Sequence, residues 1–208
     1  MKKEKSDIRI RFTKKMIQES LIELMVEKSI LKITINEICD RAGVSRSTFY
    51  TYYKDQYDLL KQIEQQTFKG LEHIDRKYRA ELSKNKNISS KGIEEAVQGF
   101  LQYIAENNDS IQVLLSENGD YLFQKRFFNR SIEQLREFRE AKGENAADYE
   151  MLNCYSLFLV GGFLVLIQDW LKNDMNIPMA KMVKVLASMV HWILNREKFS
   201  PNILQLLR

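Results

Sequence analysis

Residues 43–54 read Gly43-Val44-Ser45-Arg46-Ser47-Thr48-Phe49-Tyr50-Thr51-Tyr52-Tyr53-Lys54. The stretch opens with a glycine that can turn the chain, continues through small hydroxyl residues and one arginine, and closes with tyrosines and a lysine. A core helix would not place so many hydroxyl, cationic and phenolic groups in so few positions. A surface that hydrogen-bonds phosphates and base edges would.

The flanking residues turn this composition into a fold. Upstream, Thr34 and Glu37 predict a capping box, with Ile33 able to staple onto Ile38. Gly43 stands where a helix end takes a left-handed residue. Ser45 then caps the next helix after one intervening residue, with Val44 able to staple onto Phe49. Two short helices joined this tightly through glycine make a helix-turn-helix over about residues 34–53. Before it, Ile17, Leu21, Leu24 and Met25 recur at helical spacing and predict a helix from Ile8 or Thr13 to Glu27. After it, Asp55 is a cap, and Asp58 favours the first turn of a helix through Leu59, Leu60, Ile63 and Phe68 toward Tyr78.

Beyond a polar stretch from Leu82 to Gly92, read as a linker, the pattern stays helical. Helices are expected at about 91–106, 108–117, 120–141, 147–173 and 178–196. Asn118-Gly119-Asp120 and Lys142-Gly143-Glu144 act as turns, and Pro178 opens the last helix. Two prolines and eight glycines in 208 residues leave little punctuation for short strands. The expected fold class is therefore all-α. Residues 1–70 form an N-terminal three-helix helix-turn-helix domain, joined by a long helix to a C-terminal helical bundle over residues 71–208.

The net charge of +4 permits an anionic partner without demanding one. Its placement is more pointed. Lys2, Lys3, Lys5, Arg9, Arg11, Lys14 and Lys15 face only Glu4 and Asp7 within the first fifteen residues, so the rest of the chain is close to neutral. A basic arm beside a polar-aromatic helix fits nucleic acid, while a solvated leader would carry the same charges. Cys39 and Cys154 are isolated in apolar contexts and read as buried, reduced thiols. The longest apolar run, Leu157 to Ile167, falls short of the roughly 20 residues that cross a bilayer. With no signal peptide visible, the expectation is a soluble cytoplasmic protein without a membrane partner.

In a helix-turn-helix the second helix enters the major groove, its N-terminal residues nearest the bases. Those residues are Ser45, Arg46, Ser47 and Thr48. The Arg46 guanidinium suits the two acceptors of a guanine edge; the alternatives are a phosphate contact or an ion pair with Asp40 or Glu37. Tyr50, Thr51 and Tyr52 can reach phosphates, although clustered tyrosines also serve as packing. Thr34, Asn36 and Lys54, near helix starts, complete the candidate backbone contacts. Phe49 and Tyr53 are expected to be core.

From Arg11 to Phe68 the sequence resembles the TetR-type bacterial transcriptional regulators. The likeness rests on Thr-Ile-Asn-Glu-Ile at 34–38, Ala42-Gly43-Val44-Ser45-Arg46-Ser47-Thr48-Phe49-Tyr50, Tyr53-Lys54-Asp55 and Leu59-Leu60. Ser47 stands where the family usually has glycine, and Gln56 where lysine is common. Asn118-Gly119-Asp120 with Phe123, and Gly161-Gly162 leading to Trp170-Leu171-Lys172-Asn173, resemble a C-terminal region of low-GC Gram-positive members. Some of these are described as regulators related to dihydroxyacetone kinase operons. The resemblance implies a homodimer on a palindromic double-stranded operator, and a ligand-responsive repressor. Activation, non-specific DNA binding and a protein-interaction adaptor are the alternatives.

The resemblance also implies a small-molecule effector in the C-terminal bundle. Candidate lining residues are Phe100, Tyr103, Tyr121, Phe127, Phe128, Tyr155 and Phe158, against the plainer reading of aromatic core. The 157–167 run is apolar all round and needs cover on every side. Pairing with a symmetry mate through Leu157, Gly161, Leu164, Met182, Leu186, Met189, Val190 and Ile193 would form an isologous four-helix interface. Burial within one chain is the alternative. An enzyme is disfavoured: His73 and His191 are far apart, no metal-ligand spacing or phosphate-binding glycine loop occurs, and no cofactor is expected.

Overall fold

The computed structural model describes residues 2–82, 89–141 and 149–194. Among them every regular element is helical: α1 (Lys2–Glu27), a 3-10 turn (Ile30–Lys32), α2 (Ile35–Ala42), α3 (Arg46–Tyr52), α4 (Gln56–Leu82), α5 (Ser90–Glu106), α6 (Asn108–Leu114), α7 (Tyr121–Ala141), α8 (Tyr149–Lys172) and α9 (Met179–Leu194). The all-α expectation holds. The turn expected at Lys142-Gly143-Glu144 lies outside the described residues.

Several boundaries differ from the sequence reading: α4 continues to Leu82, and α5 begins at Ser90, inside the stretch read as a linker. α1 is helical from Lys2, because no glycine or proline interrupts a run of good helix formers. α6 ends at Leu114 instead of near 117, because the Ser116 amide and hydroxyl both donate to the Val113 carbonyl (3.1 and 2.8 Å) and the Gly119 amide closes on the Ser116 carbonyl (3.1 Å). A Cβ at Gly119 would sit 2.5 Å from the Leu114 carbonyl oxygen, so this turn requires glycine.

The chain packs as two units. Unit 1 comprises residues 1–70 and 106–127, hence α1–α3, the start of α4, α6 and the first turns of α7. Its core gathers Ile17, Leu21, Met25, Ile38, Phe49, Tyr53 and Leu59 with Ile111, Leu114 and Phe123. Each such side chain contributes about 1.5–3 kcal/mol by leaving water. Phe68 packs on Phe123 (centroids 4.8 Å), which stacks on Phe127 (6.4 Å). The Asn118 side-chain amide donates to the Val26 carbonyl (3.3 Å), tying the turn before α7 to the end of α1.

Unit 2 comprises residues 71–105 and 128–208. α5 buries Ile93, Val97, Leu101 and Ile104, one helical stripe. α8 buries Leu159, Val160, Ile167, Trp170 and Leu171, and α9 buries Met182, Val183, Leu186 and Ala187. The Trp170 indole donates to the Ile177 carbonyl (2.8 Å) and holds the α8–α9 turn. The apolar run in α8 belongs to a longer window than expected. Asn153–Lys172, mean hydropathy 1.6, has the length and composition to cross a membrane. In this fold the same window supplies the buried side chains of unit 2 from one of its faces.

Candidate nucleic-acid interface

The helix-turn-helix is held by its own polar groups. Thr34 caps α2: its hydroxyl accepts from the Glu37 amide (3.3 Å), while the Thr34 amide and hydroxyl both donate to Glu37 Oε2 (2.9 Å each). Lys28 donates to the other Glu37 oxygen. The Lys28 bond and the Thr34 donors hold this carboxyl down at about 2. Both Thr34 donors are thus engaged within the chain. Arg41 bonds Glu27 (3.0 Å), clamping α2 onto α1. Gly43 ends α2 at φ +65, the left-handed conformation expected of it.

Ser45 then caps α3. Its hydroxyl accepts from the Thr48 amide (3.1 Å) and lies 2.9 Å from the hydroxyls of both Ser47 and Thr48. The Thr51 hydroxyl donates to the Ser47 carbonyl (2.9 Å). After α3, the Lys54 amide donates to Asp58 (3.0 Å) and the Asp58 amide to Asp55 (2.7 Å), which caps α4. The bond from Lys54 lowers the Asp58 pKa.

This framework sorts the side chains of α3 by face. Phe49 and Tyr53 are buried, as expected of anchors. Burial pushes the Tyr53 phenol up to about 12, and its hydroxyl lies near Gln18 without reaching hydrogen-bond geometry. Arg46, Ser47, Tyr50 and Thr51 are exposed at one-turn spacing and form a single stripe of α3, and Lys54 is exposed just beyond the end of the helix. Ser45, Thr34 and Asn36 are exposed beside it.

The grouping differs from the sequence reading. Thr48 and Tyr52, assigned there to bases and backbone respectively, are half-buried on the flanks. Tyr50 and Thr51 instead join Arg46 and Ser47. The Tyr50 phenol beside the Arg46 guanidinium raises that group's pKa. Of the two acids read as rival partners for Arg46, Asp40 and Glu37, the second pairs with Lys28. Sequence reasoning also missed Lys14, whose ammonium lies 5.3 Å above the Tyr52 ring. The basic arm carried that signal, without its direction.

The seven aromatic residues expected to line one pocket fall in different surroundings within the two units. Tyr121 is 72% exposed and Phe127 joins the Phe68–Phe123 stack, both in unit 1. In unit 2, Phe158 is 74% exposed, Phe128 faces Gly161, and Tyr155 meets Trp192 edge-on. Phe100 and Tyr103 are half-buried, with burial raising the Tyr103 pKa.

The candidate pairing residues also divide. Met182 (4%) and Leu186 (0%) are core, because α9 turns them toward α8. Leu157 and Met189 are exposed; Gly161, Leu164 and Val190 are half-buried; the Ile193 side chain lies outside the described residues. Phe158, Val165, Met189 and Trp192, with Gly161 and Gly162, line an open apolar groove of about 710 Å³. Cys39 is buried, but Cys154 is exposed on α8, contrary to expectation. Among the described residues no cluster of His, Cys, Asp or Glu could hold a metal ion.

Comparison with known proteins places this architecture. The family model for bacterial regulatory proteins of the tetR family matches residues 17–63, across the helix-turn-helix. A model for the transcriptional regulator C-terminal region of the same family matches residues 91–192. The chain belongs to the tetR family. A similar relative is an uncharacterized HTH-type transcriptional regulator, YxbF, of Bacillus subtilis (strain 168), 23% identical over 124 residues. That match spans 56% of the present tetR-family chain and 30% of the relative's length. Among solved structures, a TetR transcriptional regulator from Streptococcus agalactiae 2603V is 25% identical with a TM-score of 0.55, covering 89% of this chain and 97% of that one. The dihydroxyacetone kinase operon activator DhaS has the same fold, at 18% identity and a TM-score of 0.54, over 89% and 96% of the two chains.

Proposed function

We propose that this tetR-family chain is a sequence-reading, DNA-binding transcriptional regulator that acts in the cytoplasm as a homodimer on a palindromic operator. The observation that carries the reading is the exposed stripe of α3. It combines a guanidinium, two hydroxyls and a phenol, with the Lys54 ammonium just past the helix end, and it is anchored by buried Phe49 and by buried Tyr53 at the C-cap. Arg46 reads a guanine edge and Tyr50 orients it, while Thr51, Lys54 and Asn36 hold phosphates. Thr34 adds a phosphate contact where DNA draws its hydroxyl from Glu37. Ser47 lends the base-reading end of α3 a hydroxyl.

The second half of the reading is the dimer. The apolar groove on α8 and α9 accepts the same face of a second copy, centred on Phe158, Val165, Met189 and Trp192. Two recognition helices then meet two half-sites. A small effector in unit 2, near Phe100, Tyr103, Phe128 and Tyr155, shifts the population between DNA-competent and incompetent dimers. Repression is the proposed outcome. The likeness to DhaS, an activator, favours activation as the second reading.

Footprinting the chain on the DNA upstream of its own gene tests the core of this. A protected two-fold symmetric site, retained against excess random duplex at matched salt, is expected. Equal affinity for both DNAs would overturn sequence reading. A reporter behind that site, raised or lowered on deletion of the chain, separates repressor from activator.

A further inference from the structure

The basic segment ahead of the helix-turn-helix is not used by the interface described above. α1 is helical from Lys2, yet its first buried side chain among the described residues is Ile17, and the side chains of residues 7–12 are all exposed. Residues 7–12 gain nothing from a core. Their cations are nonetheless aimed. At 3.6 residues per turn, Arg11, Lys14 and Gln18 fall on one stripe of α1. Gln18 donates to Gln66 of α4 (3.3 Å), and its side chain lies near the Tyr53 phenol. Lys14 holds its ammonium over Tyr52. The stripe therefore faces the C-terminal end of the recognition helix, with Arg11 one turn further out. Lys15 is answered by Glu19 (3.4 Å), whereas no ion pair engages Arg11 or Lys14 among the described residues.

We propose that Arg11 and Lys14 make a second contact to the DNA phosphate backbone, so that α1 grips the strand flanking the base pairs met by α3. The inference rests on the DNA-binding reading and enlarges its footprint. A polyanionic backbone is the matching partner: an ammonium offers a point charge and a guanidinium a fork, and neither needs a base edge. The Tyr52 face holds Lys14 in place through its π-cloud. Phe12 lies roughly opposite Lys14 around α1, and Ile8, three residues before Arg11, borders the cationic stripe on the Phe12 side. An anionic lipid surface would draw on those apolar residues instead.

Salt dependence decides the matter without knowledge of the operator. The full chain is titrated by fluorescence anisotropy onto an arbitrary duplex of about 30 base pairs between about 50 and 200 mM KCl, where each phosphate contact contributes about 0.9 to the log–log slope. Arg11→Ala/Lys14→Ala should reduce that slope by about 2 per bound protomer, hence by about 4 for a dimer, and the charge-keeping pair Arg11→Lys/Lys14→Arg should preserve it. If the alanine pair keeps the full slope while Arg46→Ala weakens binding, this inference falls and the DNA-binding reading stands. Equal slope loss in both pairs would also overturn it, by assigning the two residues a structural role. Failure of the unchanged protein to bind duplex at any salt would overturn both. Binding to phosphatidylserine vesicles that falls in the alanine pair, with an unchanged DNA slope, would transfer the surface to lipid.

Discussion

Arg46 and Tyr50 stand one helical turn apart on the exposed stripe, and the phenol shapes the arginine's surroundings. Arg46→Ala should relax preference at one base position per half-site, at about 1–3 kcal/mol each. Tyr50→Phe should cost part of that same preference, and the double variant should lose less than the sum. Binding-site selection with all three variants checks this; additive losses at separate positions would mean the two side chains act independently. The Arg46 position was legible in the sequence because α3 carries only one guanidinium. Its pairing with Tyr50 was not, because spacing alone does not show where a side chain turns.

At the scale of elements, the α2–α3 turn rests on Gly43. Open space surrounds its missing Cβ, so substitution there meets no neighbour and acts through the backbone alone. Gly43→Ala should destabilise the chain by about 1–2 kcal/mol, with Gly43→Asn milder because asparagine tolerates the left-handed region. Denaturant unfolding midpoints of the two variants measure this; equal losses would point to packing. A second element-scale feature escaped the sequence reading. Glu64 of α4 is buried against Arg126 of α7, with Asp120 nearby. Burial pushes its carboxyl up to about 7 despite the pull of Arg126, and Asp120 adds to the rise.

The unfolded chain releases the Glu64 proton near 4.5, whereas the folded chain keeps it to about 7. The folded state therefore binds more protons between those values. Its stability contribution is complete below 4.5 and is lost as pH rises through 7. Glu64→Gln should flatten that part of the stability–pH curve. Urea midpoints that still fall by the same amount in the variant would assign the dependence to other groups. Nothing in the local sequence marks Glu64, because its burial depends on α7, nearly 60 residues away along the chain.

For the whole molecule, the apolar groove distinguishes buried residues that hold the monomer from exposed residues that a second copy would cover. Phe158→Glu with Trp192→Glu should yield a folded monomer in sedimentation equilibrium. It should also lose on the order of a hundredfold or more in operator affinity, because two linked half-site contacts become one. Leu186→Ala should instead lower stability by about 2–5 kcal/mol while leaving association intact once folded. If the glutamate pair remains dimeric, the interface lies elsewhere.

By itself the sequence determined the helical class, the caps around Thr34 and Ser45, the left-handed Gly43 and the anchoring of Phe49 and Tyr53. These depend on residues within a few positions of one another, where hydrogen bonds and periodicity dictate the outcome. Tertiary structure decided the rest. It turned Thr48 and Tyr52 aside from the exposed stripe. It also turned Met182 and Leu186 inward while leaving Phe158 and Trp192 exposed. Apolar residues on adjoining helical stripes are equivalent until a neighbouring helix covers one stripe and leaves the other exposed.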